Sequence, residues 1–193
     1  MSVHPTNPPN SSLSESDTPL GKVVDYPSTY APQLLFAIPR EDGRAELDFE
    51  RGAQNVLPFT GEDLWTAYEI SGCDKRGKPW VAVGEFSLPC ESPSIIESKS
   101  LKLYLNSLNQ HRFSSWHAAR QTIADDLSRV AGSTINVQLF SIDDYARRGL
   151  TVFRGQCLDE LDVACEVYQP DPRLLSFSGD VDARVDAHAH AHA

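Results

Sequence analysis

The run Glu97-Ser98-Lys99-Ser100-Leu101-Lys102 gathers a carboxylate, two hydroxyls and two ammonium groups into six residues. Its carboxylate offers two acceptor oxygens that suit a pair of adjacent N–H donors, and such a charge-assisted pair is stronger than a neutral one. Lys99 and Lys102 are one helical turn apart and close to the positive end of a helix dipole, a setting that favours phosphate groups. A plainer reading stands beside this one. Ser94-Ile95-Ile96-Glu97 has the spacing of a capping box, in which Ser94 caps the helix and Glu97 reaches back to the capping residue's N–H without any ligand.

These groups need an apolar stem, and the sequence provides it. Leu101, Tyr104, Leu105 and Leu108 recur at i, i+3, i+4 and i+7, so one side of the helix packs inward while its first turn holds the polar groups. A second helix is predicted over Trp116 to Ala131, with Trp116, Ala119, Ile123, Leu127 and Val130 as its stripe, Ser114 or Ser115 as cap and Gly132 as stop. Leu64 to Ser71 and Trp80 to Leu88 read as the strands of a hairpin. Ile135, Val137 and Leu139, and then Leu161, Val163, Cys165 and Val167, alternate with polar or small residues and predict two half-buried strands, with Cys165 facing inward as a small apolar residue. The order strand, strand, helix, helix, strand, strand gives an α+β fold, an antiparallel four-stranded sheet with both helices on one face. Such a sheet has exposed edges, so self-association into a homo-oligomer, at least a dimer, is expected.

The remaining composition narrows the possibilities. Residues 1–18 hold too little apolar surface to offset the entropy of ordering and read as a disordered tail; 19–175 form the folded module; 176–193 form a low-complexity tail ending His188-Ala189-His190-Ala191-His192-Ala193. That tail lacks a second ligand group to close a metal site. Formal charge is −10, with 17 Lys and Arg dispersed along the chain, which disfavours a nucleic-acid partner. Neither a membrane span nor a signal pattern is evident, so a cytoplasmic protein is expected. Cys73, Cys90, Cys157 and Cys165 form no Cys-x-x-Cys pair and are read as free thiols. His4, His111 and His117 have no metal-site spacing, and no Gly-x-Gly-x-x-Gly follows a strand, which excludes a Rossmann site.

Glu97-Ser98-Lys99-Ser100 with Lys102-Leu103-Tyr104 resembles the signature of the NADPH-dependent nitrile reductases of queuosine biosynthesis, the 7-cyano-7-deazaguanine reductases. Leu57-Pro58-Phe59 with Gly61, Asp63 and Trp65, Val81 to Gly84, and Leu108-Asn109-Gln110 with Arg112 and Phe113 extend the resemblance to the first module of the two-module form, from about Gly21 to Tyr168. The resemblance implies the tunnelling fold (T-fold), whose sheets join edge to edge with ligands at the seams. It also implies that Ile96, Glu97 and Ser98 contact the deazaguanine and that Ser98 and Lys99 contact NADPH. In the family, a cysteine thiolate attacks the nitrile carbon and an aspartate seven residues later handles protons. Those residues belong to the second module of the long form, and this chain stops before it, so no catalytic residue is expected here. Cys73 lies 24 positions ahead of Glu97, where the one-module form has its nucleophile, but Trp80 stands in place of the proton donor; the run reads as a hairpin relic. The expected function is reduction of 7-cyano-7-deazaguanine (preQ0) to 7-aminomethyl-7-deazaguanine (preQ1), with this chain supplying the substrate and NADPH grip. The alternative is a catalytically silent purine- or pterin-binding module.

Overall fold

In the computed structural model the described residues are 27–45, 56–149, 157, 159, 161–169 and 171–174. The tails expected at 1–18 and 176–193 lie outside them. Residues 1–150 and 151–193 form two units. The first contains, in chain order, a 3₁₀ turn (Pro32–Leu34), β1 (Ala37–Pro39), α1 (Arg40–Arg44), β2 (Glu62–Asp74), β3 (Pro79–Pro89), β4 (Ser94–Ile96), α2 (Ser98–Ser107), β5 (Arg112–Phe113), α3 (Trp116–Ala131), β6 (Asn136–Phe140) and α4 (Ile142–Arg147).

The predicted hairpin is present and longer than its apolar runs. β2 and β3 pair antiparallel from Glu62↔Pro89 to Cys73↔Pro79. Ala67 faces Gly84 and Ile70 faces Ala82, so Tyr68 and Glu69 together oppose Val83 in a β-bulge. That extra residue switches the inward positions of β2 from odd numbers (Trp65, Ala67) to even ones (Ile70, Gly72). Gly84 is required by contact rather than by backbone angle: a Cβ there would overlap Ile70 Cδ1 and lie 3.2 Å from Phe86 Cζ.

The α+β class holds, but the sheet differs from expectation. Its order is β5-β2-β3-β6, with β6 antiparallel to β3 and β5 parallel to the end of β2, and β1 and β4 form a separate two-stranded sheet. The sheet is therefore mixed, and its fourth strand is Arg112–Phe113, delivered as the chain returns from α2. Leu161 to Tyr168 form no strand. In the second unit the described residues 161–169 are irregular and exposed, Cys165 included, and a 3₁₀ turn spans Pro172–Leu174. Alternation favours a strand only where a partner supplies ladder hydrogen bonds and a packed surface covers one face; Val163 is 65% exposed.

α2 and α3 share one core with the inward residues of β2 and β3: Ile70, Ala82, Phe86 and Leu88 cluster with Leu101, Tyr104, Leu108, Ile123 and Leu127. α3 has the predicted ends, with Ser115 capping the Ala118 N–H at 3.1 Å and Gly132 at φ 71° closing it. Trp116, expected in the buried stripe, is 39% exposed. Within the core lies one polar knot. Asp126 Oδ2 accepts from Tyr104 Oη at 2.8 Å and from Tyr30 Oη at 2.5 Å, and Oδ1 accepts from Arg129 Nη2 at 3.0 Å. It ties the entry segment to both helices. On the opposite face of β3, Glu85 accepts from Arg148 Nη1 at 2.8 Å beyond the end of α4, and Tyr145 of α4 meets Tyr68 edge-on.

Three outcomes follow for stability. Burial and the Asp126 carboxylate push the Tyr30 hydroxyl up to about 12 and Tyr104 higher still. An unfolded tyrosine titrates near 10. Stability from the neutral phenols is thus full below pH 10 and lost as pH rises towards 12 and beyond; the urea midpoint should hold between pH 7 and 9, then fall. Tyr104→Phe should lower stability by about 1–3 kcal/mol in urea titrations at pH 7 and flatten that alkaline loss. Gly84→Ala should cost about 1–3 kcal/mol through overpacking, measured the same way.

Candidate functional site

β4 is three residues long, yet it fixes where α2 begins. Its register with β1 is Ala37↔Ile96, Ile38↔Ile95 and Pro39↔Ser94. Arg40, directly after β1, braces this corner: its backbone N–H donates to Pro93 O at 3.0 Å, Nε to Ser92 Oγ at 2.9 Å, and its guanidinium pairs with Asp63 of β2. Ser92 Oγ in turn donates to Ser94 O at 3.0 Å. The start of the helix is thereby anchored to the outer end of the hairpin.

Glu97 follows at once, 4% exposed, with its N–H donating to Phe36 O at 2.9 Å. Its Oε1 accepts from the Lys99 N–H at 2.8 Å and its Oε2 from the Ser100 N–H at 2.7 Å. Ser100 Oγ donates to Glu97 O at 2.7 Å and accepts the Phe36 N–H at 3.0 Å. The capping box centred on Ser94 is not what forms, because Ser94 is tied into β4 and Glu97 itself is the N-cap of α2. Glutamate is an uncommon cap, since its longer side chain must fold back, but here it satisfies two of the helix's orphan donors.

The other sequence-predicted residues separate at this corner. Ile96 is core, Ser98 is exposed, and Lys99 is partly exposed. A cleft of about 520 Å³ opens between α2 and β2 and is lined by Ser98, Lys102, Asn106, Trp65, Tyr68 and Phe86, among others. Ser98 and Lys102 thus share one wall, while Ile96, Glu97 and Lys99 are not part of the lining. Tyr68 and Asn106 were not singled out from sequence. Tyr68 comes from the bulge, which no periodicity shows, and Asn106 from one turn beyond Lys102. The hydroxyl, ammonium and aromatic walls suit a flat, anionic ligand.

No thiol in the described residues is arranged as a nucleophile. Cys73 is partly buried, with Sγ 3.6 Å from Asn109 O, and Cys90 is buried, which pushes its thiol up from the ordinary value. Cys157 and Cys165 are exposed free thiols. Among the described residues no group of three His, Cys, Asp or Glu could hold a metal ion, and no helix is long and apolar enough to cross a membrane.

The profile of a family described as "Nitrile reductase, 7-cyano-7-deazaguanine-reductase N-term" matches residues 26–139, more than half of the chain. The chain belongs to this family. The matched span runs from the segment before β1 into β6 and so takes in the whole corner around Glu97. An NADPH-dependent 7-cyano-7-deazaguanine reductase from Teredinibacter turnerae is 56% identical over 162 residues, 84% of this chain and 56% of that protein. Reductases of the same name from Azoarcus and Dechloromonas aromatica are 51% and 49% identical over 85% and 82% of the chain and 57% and 55% of their own lengths. The chain therefore spans a little over half the length of the curated relatives it matches.

The capping geometry predicts a graded outcome. Glu97→Ala should cost about 1–2 kcal/mol by urea denaturation through loss of both acceptors, and Glu97→Gln, which keeps one carbonyl oxygen, clearly less.

Proposed function

We propose that this chain is the substrate- and cofactor-binding module of a cytoplasmic NADPH-dependent nitrile reductase that converts preQ0 to preQ1 in queuosine biosynthesis. One observation carries the reading: a buried carboxylate held at the start of α2, beside an aromatic-walled cleft, in a chain about half identical to reductases so named. Each Glu97 oxygen accepts one backbone N–H and keeps a further lone pair, so the group can cap the helix and still receive the N–H edge of the base. Ile96 and Ser98 shape that pocket. Ser98 with Lys99 meets the cofactor.

The cleft fits such a cofactor in kind, with Trp65 and Tyr68 for a flat ring and the Lys102 ammonium for a phosphate. When bound, NADPH supplies hydride. Taking a nitrile to an aminomethyl group adds two hydrides and two protons, so two NADPH are oxidised per base. Trp80 stands seven residues after Cys73, where a proton donor would be needed, and we assign the thiol step to a second module. The edge of β2 that faces away from β3 pairs with no strand from Glu62 to Gly72 among the described residues, which supports assembly by edge pairing, as in the tunnelling fold, into a homodimer.

Calorimetry with preQ0, with and without NADPH, tests this. We expect the base to bind, NADPH to strengthen binding, and Glu97→Gln to weaken it at least about tenfold while the protein stays folded. Base binding indifferent to both NADPH and Glu97→Gln would favour a silent purine-binding module. In the same mixtures absorbance at 340 nm should stay level; a steady fall abolished by Cys73→Ala would overturn the assignment of the thiol step elsewhere.

A further inference from the structure

The tip of the β2–β3 hairpin carries charge opposite in sign to the whole. Lys75, Arg76 and Lys78 succeed one another around the turn, and Arg112 of β5 lies across it, its Nη2 3.1 Å from where a Cβ on Gly77 would sit. Gly77 has φ 89°, so glycine is required both by the left-handed backbone and by the approach of the guanidinium. Four cations meet a single carboxylate here, in a chain of formal charge −10.

That carboxylate is occupied with the turn itself. Asp74 Oδ1 accepts the Arg76 N–H at 2.8 Å and the Lys78 N–H at 2.9 Å, while Oδ2 stands 4.0 Å from Arg76 Nε. Among the described residues no other carboxylate forms an ion pair with Lys75, Arg76, Lys78 or Arg112.

Beside the cations stands a row of three tilted aromatic rings. Trp80 sits between Phe113, with ring centroids 5.9 Å apart, and Trp116, at 5.4 Å, and Trp116 at the outer end is 39% exposed. A cavity of about 560 Å³ lies between the hairpin tip and the start of α3, lined by Lys75, Arg76, Lys78, Trp80, Ser115 and Trp116, among others. It shares no lining residue with the cleft beside Glu97. Its size falls within the roughly 300–1,000 Å³ typical of small-ligand sites. An open indole next to three lining cations that outnumber the one lining carboxylate, Asp74, is a pairing that can hold a planar base and its phosphate together.

We propose that this cavity is a second ligand site, for a nucleoside phosphate, with the base stacked on Trp116 and the phosphate held by Lys75, Arg76 and Lys78. The aromatic wall distinguishes the site from a simple anion trap, and the cations distinguish it from a site for an uncharged ring. The inference does not depend on the reductase reading.

Calorimetric titration of the full chain with AMP, adenosine and inorganic phosphate tests it. AMP should bind saturably, with adenosine and phosphate each at least about tenfold weaker. Trp116→Leu and the double variant Lys75→Glu/Lys78→Glu should each weaken AMP at least about tenfold with an unchanged urea midpoint, whereas Trp65→Phe, in the other cleft, should leave AMP affinity as it is. Equal affinity for AMP and phosphate, AMP binding that survives both variants, loss of binding in Trp65→Phe, or no saturation by about 10 mM AMP would each overturn the proposal.

Discussion

The contact on which this molecule turns is that of Glu97 with the first N–H groups of its own helix. One carboxylate closes the exposed start of α2, and its backbone joins α2 to β4 and, through Phe36, to the segment leading into β1. Because Ser100 locks the same Phe36 from its side-chain hydroxyl, the helix start, β4 and the entry segment form one hydrogen-bonded knot. A buried anion is expensive without partners. Here two N–H donors and the positive end of a helix dipole supply them, so the same charge can serve the fold and the site. The capping role is therefore met by Glu97 itself, and the ligand-binding role proposed for it does not require the cap to be given up.

A second, independent polar knot performs the same service deeper in the core. Asp126 gathers two tyrosine hydroxyls and an arginine, so Tyr30, α2 and α3 meet at one carboxylate. Both knots recruit the segment that precedes β1, through Tyr30 in one and Phe36 in the other.

How much could be seen in advance depended on the length of each element. The hairpin and α3 were legible because β2, β3 and α3 are each more than ten residues long, and α3 also carries Ser115 and Gly132 at its ends. β4 and β5, three and two residues long, contain no period to detect and exist only because β1 and β2 offer them edges. The opposite error came at Leu161 to Tyr168, where a clean alternation has no described partner to pair with. α4 was overlooked because Ile142 and Tyr145 leave it a thin apolar face. At the start of α2 the sequence spacing favoured Ser94 as the cap. Only the pairing of Ser94 with Pro39 shows why the role passes to Glu97.

The bulge at Tyr68 and Glu69 has a consequence for how this family's hairpin can change over time. By adding one residue to one strand, it divides the ribbon into two segments with opposite phase, each of which turns its own apolar set towards the helices. The outer segment, with Trp65, walls the cleft; the inner one, with Ile70, builds the core. Phase is thus set locally on each side. Substitution within either segment leaves its phase unchanged, whereas gain or loss of a single residue between Ala67 and Ile70 would turn one segment inside out while leaving the other undisturbed.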